Sequence, residues 1–431
     1  MRLAVVSAHT CPLASLGGKE TGGMNVYVRE SCAELGRRGI EVDIFTRSQD
    51  PGVARRVELR PGVNVHHVPA GPVRPYPKYE LVDHLEEFVS GILERASGPY
   101  DLIHTHYWIS GMAGLRLRDV WKAPVVHMFH TMGWIKNLVA RRKEEAEGEI
   151  RMRWEYQVAR EADGLVAPHP LERAQLVWHY GADPGRIKVI PCGVDTSLFR
   201  PMNRALAQRI LGLQAGPWII FVGRLDPIKG LDTLMEAMAL LGRKRWRGQA
   251  QRPSVLVVGG SKPEQEAQAA PEIRGLMAQA RALGIEDMVR FVGPKSQDSL
   301  ALYYGASSLC VLPSRYESFG MAALEAMACG IPVVASRVGG LSYTVLDGQT
   351  GLLVPEGNAQ QLADTMERLL RDGQLRRQMG TQAVRHARRF SWPRVVDLLL
   401  EMFQRLLEGI KLGSQEQDPL EVRLKQIPAI S

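Results

Sequence analysis

Twelve short apolar runs, each ending in a polar or glycine-rich loop and separated by stretches of helical periodicity, constrain this chain more than any other property of its sequence. Six lie at 3–8, 42–46, 102–104, 125–129, 164–167 and 188–190. After a break at Phe199-Arg200-Pro201 six more follow, at 218–222, 255–258, 289–292, 309–312, 333–335 and 352–354. Runs of this length without alternation are strands buried on both faces, and parallel strands need long crossovers, usually helices. Two successive series predict two doubly wound α/β domains, residues 1–200 and 201–391, and 431 residues is too long for a single core. Ligands of such sheets bind beyond the carboxyl ends of the strands. Phe390-Ser391-Trp392-Pro393 and the amphipathic run after it predict a terminal helix within 392–412, with Pro393 in its first turn. The polar, unpatterned remainder, 413–431, is expected to be mobile.

Hydrophobic residues make up 45% of the chain, ordinary for a globular protein. No apolar stretch reaches the roughly 18 residues of a membrane span, and Met1 leads straight into a strand, so the expected location is the cytoplasm. Cys11, Cys32, Cys192, Cys310 and Cys329 are odd in number and free of any C-x-x-C pair, which predicts small buried hydrophobes. Lysine and arginine exceed aspartate and glutamate by 54 to 46, a net charge of +8. Such an excess suits anionic small substrates, a membrane surface or nucleic acid. Its densest cluster, Arg243-Lys244-Arg245-Trp246-Arg247, reads first as a solvated helix end and second as a peripheral membrane contact; no nucleic-acid motif accompanies it. Monomer and homodimer are equally compatible with the sequence.

The most specific local pattern runs from Pro313 to Pro332. It places Glu317 on a strand-to-helix turn and Glu325 on the helix, with seven residues between them. Backbone N–H groups at the first helical turn, around Ser318, Phe319, Gly320 and Met321, together with the helix dipole, favour an anion there. Carboxylates that accept two hydroxyl bonds suit a vicinal diol. Amides for an anion beside carboxylates for hydroxyls fit a nucleotide sugar.

This segment resembles the Glu-x7-Glu signature of retaining glycosyltransferases of family 4. The resemblance extends over residues 1–405, through Phe221-Val222-Gly223-Arg224-Leu225-Asp226-Pro227-Ile228-Lys229-Gly230 and Gly22-Gly23-Met24-Asn25-Val26-Tyr27-Val28. It implies a GT-B fold, two Rossmann-like domains facing a central cleft, with the acceptor bound by the first, the donor by the second, and the terminal helix returning to the first. On the donor side it implies Arg224 and Lys229 at the diphosphate, Glu325 at the ribose hydroxyls, Glu317 near the sugar, Gly23 against the ligand and Lys295 near the base. Within the family the string Gly22 to Val28 is most similar to D-inositol-3-phosphate glycosyltransferases, which use UDP-N-acetylglucosamine, and next to sucrose-phosphate synthases. Lys78, His104-x-His106-Tyr107-Trp108, His130-Thr131 and Lys136-Asn137 carry the same likeness. It implies Lys78, Tyr107, Thr131 and an arginine around an acceptor phosphate, Asn25 near acceptor hydroxyls, and His130 at the reacting centre. The arginine is Arg151 or Arg153, since the family register falls between them on Met152.

The expected reaction is transfer of a hexosyl or N-acetylhexosaminyl group from a nucleotide-diphosphate sugar, with UDP the expected base, to a phosphorylated polyol or sugar, with retention. Arg224, Lys229, His130 and Glu317 are the catalytic candidates, acting by position and charge, with double displacement through Glu317 as the mechanistic alternative. No Asp-x-Asp motif is present and no cofactor is implied, so the two cations and the helix amides are expected to replace a metal. His104 and His106, two imidazoles at alternate positions without a third ligand, are poor metal ligands. Transfer to fructose 6-phosphate or to a lipid, a nucleotide-sugar epimerase or phosphorylase, and a non-catalytic sugar-binding protein are the competing readings.

Overall fold

The computed structural model describes residues 1–14, 21–244, 246, 252–260 and 271–409. The tail at 413–431 and residues 410–412 lie outside the described residues, as do Arg245 and Arg247. The chain divides into two units: Met1–Leu13, Val26–Pro191 and Pro393–Ser431 form one, Ala14–Asn25 and Cys192–Trp392 the other.

In the first unit the strands are β1 (Arg2–Val6), β2 (Glu41–Arg47), β3 (Arg56–Arg60), β4 (Val63–Val68), β5 (Leu102–His106), β6 (Val125–Met128), β7 (Gly164–Ala167) and β8 (Ile187–Val189). They form one sheet in the order β3-β4-β2-β1-β5-β6-β7-β8. All neighbours run parallel except β3, which pairs antiparallel with β4. The order reverses between β1 and β5, so loops after these strands open a crevice at the carboxyl edge. From Pro393 onward the helix Trp392–Leu407 packs in this unit. The ring of Phe403 meets His104 edge-on, and Arg38 pairs with Asp397 at 2.6 Å.

The second unit holds β9 (Trp218–Val222), β10 (Ser254–Val258), β11 (Val289–Gly293), β12 (Leu309–Leu312), β13 (Val333–Ser336) and β14 (Gly351–Val354). Their order, β11-β10-β9-β12-β13-β14, is that of a Rossmann sheet with every pair parallel. Ile219, Phe221, Val255, Val257, Leu309 and Val311 fill its centre and are buried against the helices Leu231–Gly242 and Ala359–Arg371. Burial on both faces explains why these strands read as unbroken apolar runs.

All twelve anticipated strands form, with ends shifted by one or two residues. Two more, β3 and β4, were not anticipated. β3 reads Arg-Val-Glu-Leu-Arg and has no fully buried residue, as an edge strand facing water must. β4 alternates, burying Val63, Val65 and Val68 while Asn64 and His66 stay partly exposed, so neither strand presents a continuous apolar run.

Candidate functional site

In the second unit three loops meet at the reversal of strand order. The loop after β9 carries Arg224 and Lys229, and the loop after β12 carries Glu317. They touch through backbone: Arg315 N–H donates to the Ile228 carbonyl at 2.8 Å and Arg315 Nε–H to Pro227 O at 3.1 Å. Gly230, with φ at +68°, starts the helix Leu231–Gly242, and a Cβ there would lie 2.0 Å from Pro313 O. The loop after β10 joins them at Gly259, where φ is +131° and a Cβ would lie 1.9 Å from Gly223 O. Only glycine allows both the conformations and the approach. Lys229 Nζ then donates to Glu317 Oε2 at 2.6 Å, while Arg224 lies 3.6 Å from Asp226. All four side chains are partly exposed, available to solvent or to a ligand.

The Glu317 turn is held from behind. Gly340 N–H donates to Glu317 O at 2.8 Å, and Thr344 Oγ1–H to Phe319 O at 2.6 Å. A Cβ on Gly339 would sit 2.3 Å from Glu317 O, and one on Gly340 2.3 Å from Ser318 O. The Phe319 ring is buried near Tyr343 and Phe390, which leaves only its backbone for a ligand. Gly320, at φ +91°, caps the helix Met321–Ala328. A Cβ at Gly23 would lie 3.2 Å from Met321 Sδ, so this glycine lies beside the start of that helix. Lys295 Nζ donates to Val292 O at 2.6 Å and lies over the Tyr303 ring.

Glu325 is buried and accepts from Tyr304 Oη at 2.9 Å. Burial raises its carboxyl to about 7, outweighing the hydrogen bonds from Tyr304 and Gln297. An unfolded chain would release that proton near the ordinary 4.5, so the folded state binds it more tightly. The stability this supplies is full below about 4.5 and is lost as pH climbs through about 7. Glu325→Gln is therefore expected to raise the urea midpoint at pH 8, by up to about 3 kcal/mol of unfolding free energy, and to do much less at pH 5. Equal shifts at the two pH values would remove Glu325 as the titrating group.

In the first unit the site is built on two strained residues that follow β5 and β6. Tyr107 has φ +76° and ψ +151°, a region occupied almost only by glycine, and His130 has φ +61°. Tyr107 N–H donates to Met128 O at 3.0 Å and Tyr107 O accepts from Gly111 N–H at 3.0 Å, which hold the distortion. His106 Nδ1 and His130 Nε2 are 2.9 Å apart, and the Tyr27 ring meets both imidazoles edge-on. Burial lowers the His130 pKa to about 3, and the neighbouring His104 and His9 add to the effect, so the ring is neutral at pH 7. It can exchange hydrogen bonds with a sugar but supplies no cation.

Arg151 is fully buried and gathers the rest. It donates from Nη1 to Tyr107 Oη at 3.0 Å, from Nη2 to Thr131 O and Oγ1 at 2.8 and 3.1 Å, and from Nε to Glu155 at 2.6 Å. Nη1 also lies 2.9 Å from Glu147 Oε1, which accepts from Lys78 Nζ at 2.9 Å and from Lys136 Nζ. Tyr79 Oη donates to the other Glu147 oxygen at 2.5 Å. Burial opposes ionisation of Glu147, yet Arg151, Lys78 and Lys136 together hold it well below the usual carboxylate range. Glu155 in turn accepts from Gly133 N–H at 2.8 Å and Tyr180 Oη at 2.6 Å, a carboxylate at the start of the helix Gly133–Val139.

Lys78, Tyr107, Thr131 and Arg151 thus form one cluster, the set that the family resemblance places around an acceptor phosphate. Arg153 lies outside it: it is exposed, two residues and about 200° around the helix Glu149–Glu161 from buried Arg151. Asn25 is buried, its Oδ1 accepts from Gly22 N–H at 3.0 Å, and it groups with the second unit. Sequence reasoning missed Glu147, Glu155, Tyr79 and Tyr180, which no motif flags. It also missed Gly339-Gly340, whose pairing was the one available signal. Lys244 is ion-paired with Asp364 and Glu367 at 2.7 and 2.6 Å, and Trp246 bonds to Leu241 O and lies under Arg371. Among the described residues no group of three His, Cys, Asp or Glu side chains could hold a metal, and no helix is long and apolar enough to cross a membrane.

Two sheets of Rossmann type, with a lysine–glutamate pair at the switch point of one and a cationic cluster at the carboxyl edge of the other, carry the sequence matches of a GT-B glycosyltransferase acting with a nucleotide sugar. Residues 206–386 match the family Glycosyl transferases group 1 and residues 22–193 the Glycosyl transferase 4-like domain, and the chain belongs to this family. It is 42% identical over 415 residues to D-inositol 3-phosphate glycosyltransferase of Saccharomonospora viridis, covering 95% of each chain. It is 43% identical over 407 residues to the enzyme of that name from Actinosynnema mirum, covering 93% of this chain and 96% of the other. Sucrose-phosphate synthase from Thermosynechococcus elongatus superposes with a TM-score of 0.86 at 35% identity, over 95% of this chain and 99% of its own. Anabaena HepE in complex with UDP and glucose shares the fold, with a TM-score of 0.72 at 20% identity over 94% of this chain and 99% of its own.

Proposed function

We propose that this glycosyltransferase moves a hexosyl or N-acetylhexosaminyl group from a UDP-sugar to a hydroxyl of a phosphorylated polyol such as inositol 3-phosphate, with retention at the anomeric carbon. The observation that carries the acceptor is the joining of Tyr107, Thr131 and Lys78 in one cluster around the buried Arg151. Such a set of donors suits a phosphate oxyanion far better than a neutral hydroxyl. The two curated relatives above, both named for D-inositol 3-phosphate, support the same class.

In this reading Arg224 and Lys229 take up the charge that develops on the departing diphosphate. Glu325 grips the ribose diol, Glu317 the sugar hydroxyls, and the amides at Gly320 and Met321 the phosphates. Gly23 lets the backbone approach the donor, Lys295 lies by the base and Asn25 by the acceptor. The diphosphate leaves, an oxocarbenium-like state forms at the anomeric carbon, and the acceptor hydroxyl attacks from the same face. Its proton passes to a phosphate oxygen of the leaving group, and neutral His130 orients the sugar. The two cations do the work that a metal does elsewhere, and the reaction takes place in the cytoplasm, where cysteine thiols stay reduced.

The structural match to sucrose-phosphate synthase favours fructose 6-phosphate as a second acceptor, reached by the same cationic cluster. Turnover should be measured for UDP-, GDP- and ADP-sugars against inositol 3-phosphate, fructose 6-phosphate and their phosphate-free parents. Release of UDP that depends on a phosphorylated acceptor is the expected result. Equal rates with phosphorylated and phosphate-free acceptors would reject the cluster as a phosphate site.

A further inference from the structure

We propose that Glu147 is an internal stand-in for the acceptor's phosphate, seated in the cationic pocket when the acceptor is absent and expelled when it binds; this rests on the phosphorylated-acceptor reading above. The carboxylate takes what a phosphate would take. Oε1 receives Lys78, Arg151 and Lys136, and Oε2 receives Tyr79, so four donors converge on two oxygens. Two of these, Lys78 and Arg151, are the cations assigned to the acceptor. Both cannot serve an incoming phosphate fully while Glu147 holds them.

The charges agree with exchange. Lys78, Lys136 and Arg151 face Glu147 and Glu155, which leaves one net positive charge with Glu147 seated and two with it gone. A phosphate monoester carries about −1.5 to −2 near pH 7, so the emptied pocket neutralises it and the filled pocket does not. Displacement leaves the pocket standing, because Arg151 keeps Glu155 at 2.6 Å and Thr131 at 2.8 Å.

The backbone is arranged to let the side chain turn alone. Glu147 precedes the helix Glu149–Glu161, and the Asn137 amide clamps it from both sides, accepting from Glu147 N–H at 2.6 Å and donating to Glu147 O at 3.1 Å. Rotation about the side-chain bonds of Glu147 moves its carboxylate without disturbing either helix. A neutral acceptor has nothing with which to compete for the three cations. The stand-in therefore makes the pocket selective as well as weaker.

Isothermal titration with inorganic phosphate, and KM for inositol 3-phosphate, should be compared in the wild-type chain, Glu147→Gln and Tyr79→Phe. Glu147→Gln is expected to bind phosphate about tenfold more tightly and to lower KM in proportion. Tyr79→Phe removes one bond to the stand-in while keeping every cation, and is expected to shift both in the same direction by about threefold. Unchanged or weaker phosphate binding in both variants, with a wild-type enzyme that still prefers phosphorylated acceptors, would make Glu147 a permanent counter-ion and overturn the proposal alone. A wild-type enzyme that neither binds phosphate nor distinguishes the acceptors would overturn the acceptor reading and the stand-in together.

Discussion

Lys229→Met is expected to lower kcat by about 10²–10³-fold, the loss that follows when one donor aimed at developing transition-state charge is removed. The ammonium sits in the switch-point loop, 2.6 Å from Glu317, and both groups remain partly exposed. Because the pair is not sealed from water, its rupture should change folding stability by less than about 1 kcal/mol, so the kinetic loss is not a folding loss. KM for the acceptor should stay within about twofold, since only a donor-side group has changed. Arg224→Lys, which keeps charge but loses the planar fork, should fall between wild type and Lys229→Met. Steady-state kinetics at saturating donor decide the matter: a kcat within threefold of wild type would show that Lys229 does not bear the leaving group's charge.

The parallel strands at the centre of both sheets were legible because burial on two faces leaves an unbroken apolar run, which β3 and β4 lack, and the switch-point loops were legible through the motifs Phe221 to Gly230 and Pro313 to Pro332. Arg151 could be narrowed only to a pair, since sequence register cannot tell which of two arginines on a helix faces inward. Its 0% exposure, against the exposed Arg153, puts Arg151 in the cluster with Tyr107 and Thr131. Glu147 was illegible for a different reason. It meets Lys78 across 69 residues of chain, and a glutamate in a loop among Glu144, Glu145 and Glu149 has the pattern of a solvated surface. Long-range ion pairing leaves no periodic signal, whereas strand burial does. Tyr107 and His130 fall between these cases: their positions after strands were readable, but the positive φ that marks them as strained was not.

Arg151→Met should cost about 3–5 kcal/mol of stability, the penalty for removing one partner of a buried ion pair and leaving the other charged. Glu155 has no exposure and would keep only Gly133 N–H and Tyr180 Oη, while Thr131 would lose the donor that fixes it. Burial alone would favour loss of the Arg151 proton, yet Tyr107, Glu155 and Glu147 hold its pKa well above the ordinary value, which shows how strongly the surrounding groups are matched to a cation. The double variant Arg151→Met, Glu155→Gln, which removes the stranded charge, should recover a large part of the stability and none of the preference for phosphorylated acceptors. Urea unfolding and acceptor kinetics on the two variants separate the roles. Recovery of stability without acceptor selectivity assigns Arg151 both to the core and to the phosphate, whereas recovery of both would leave it a purely structural cation.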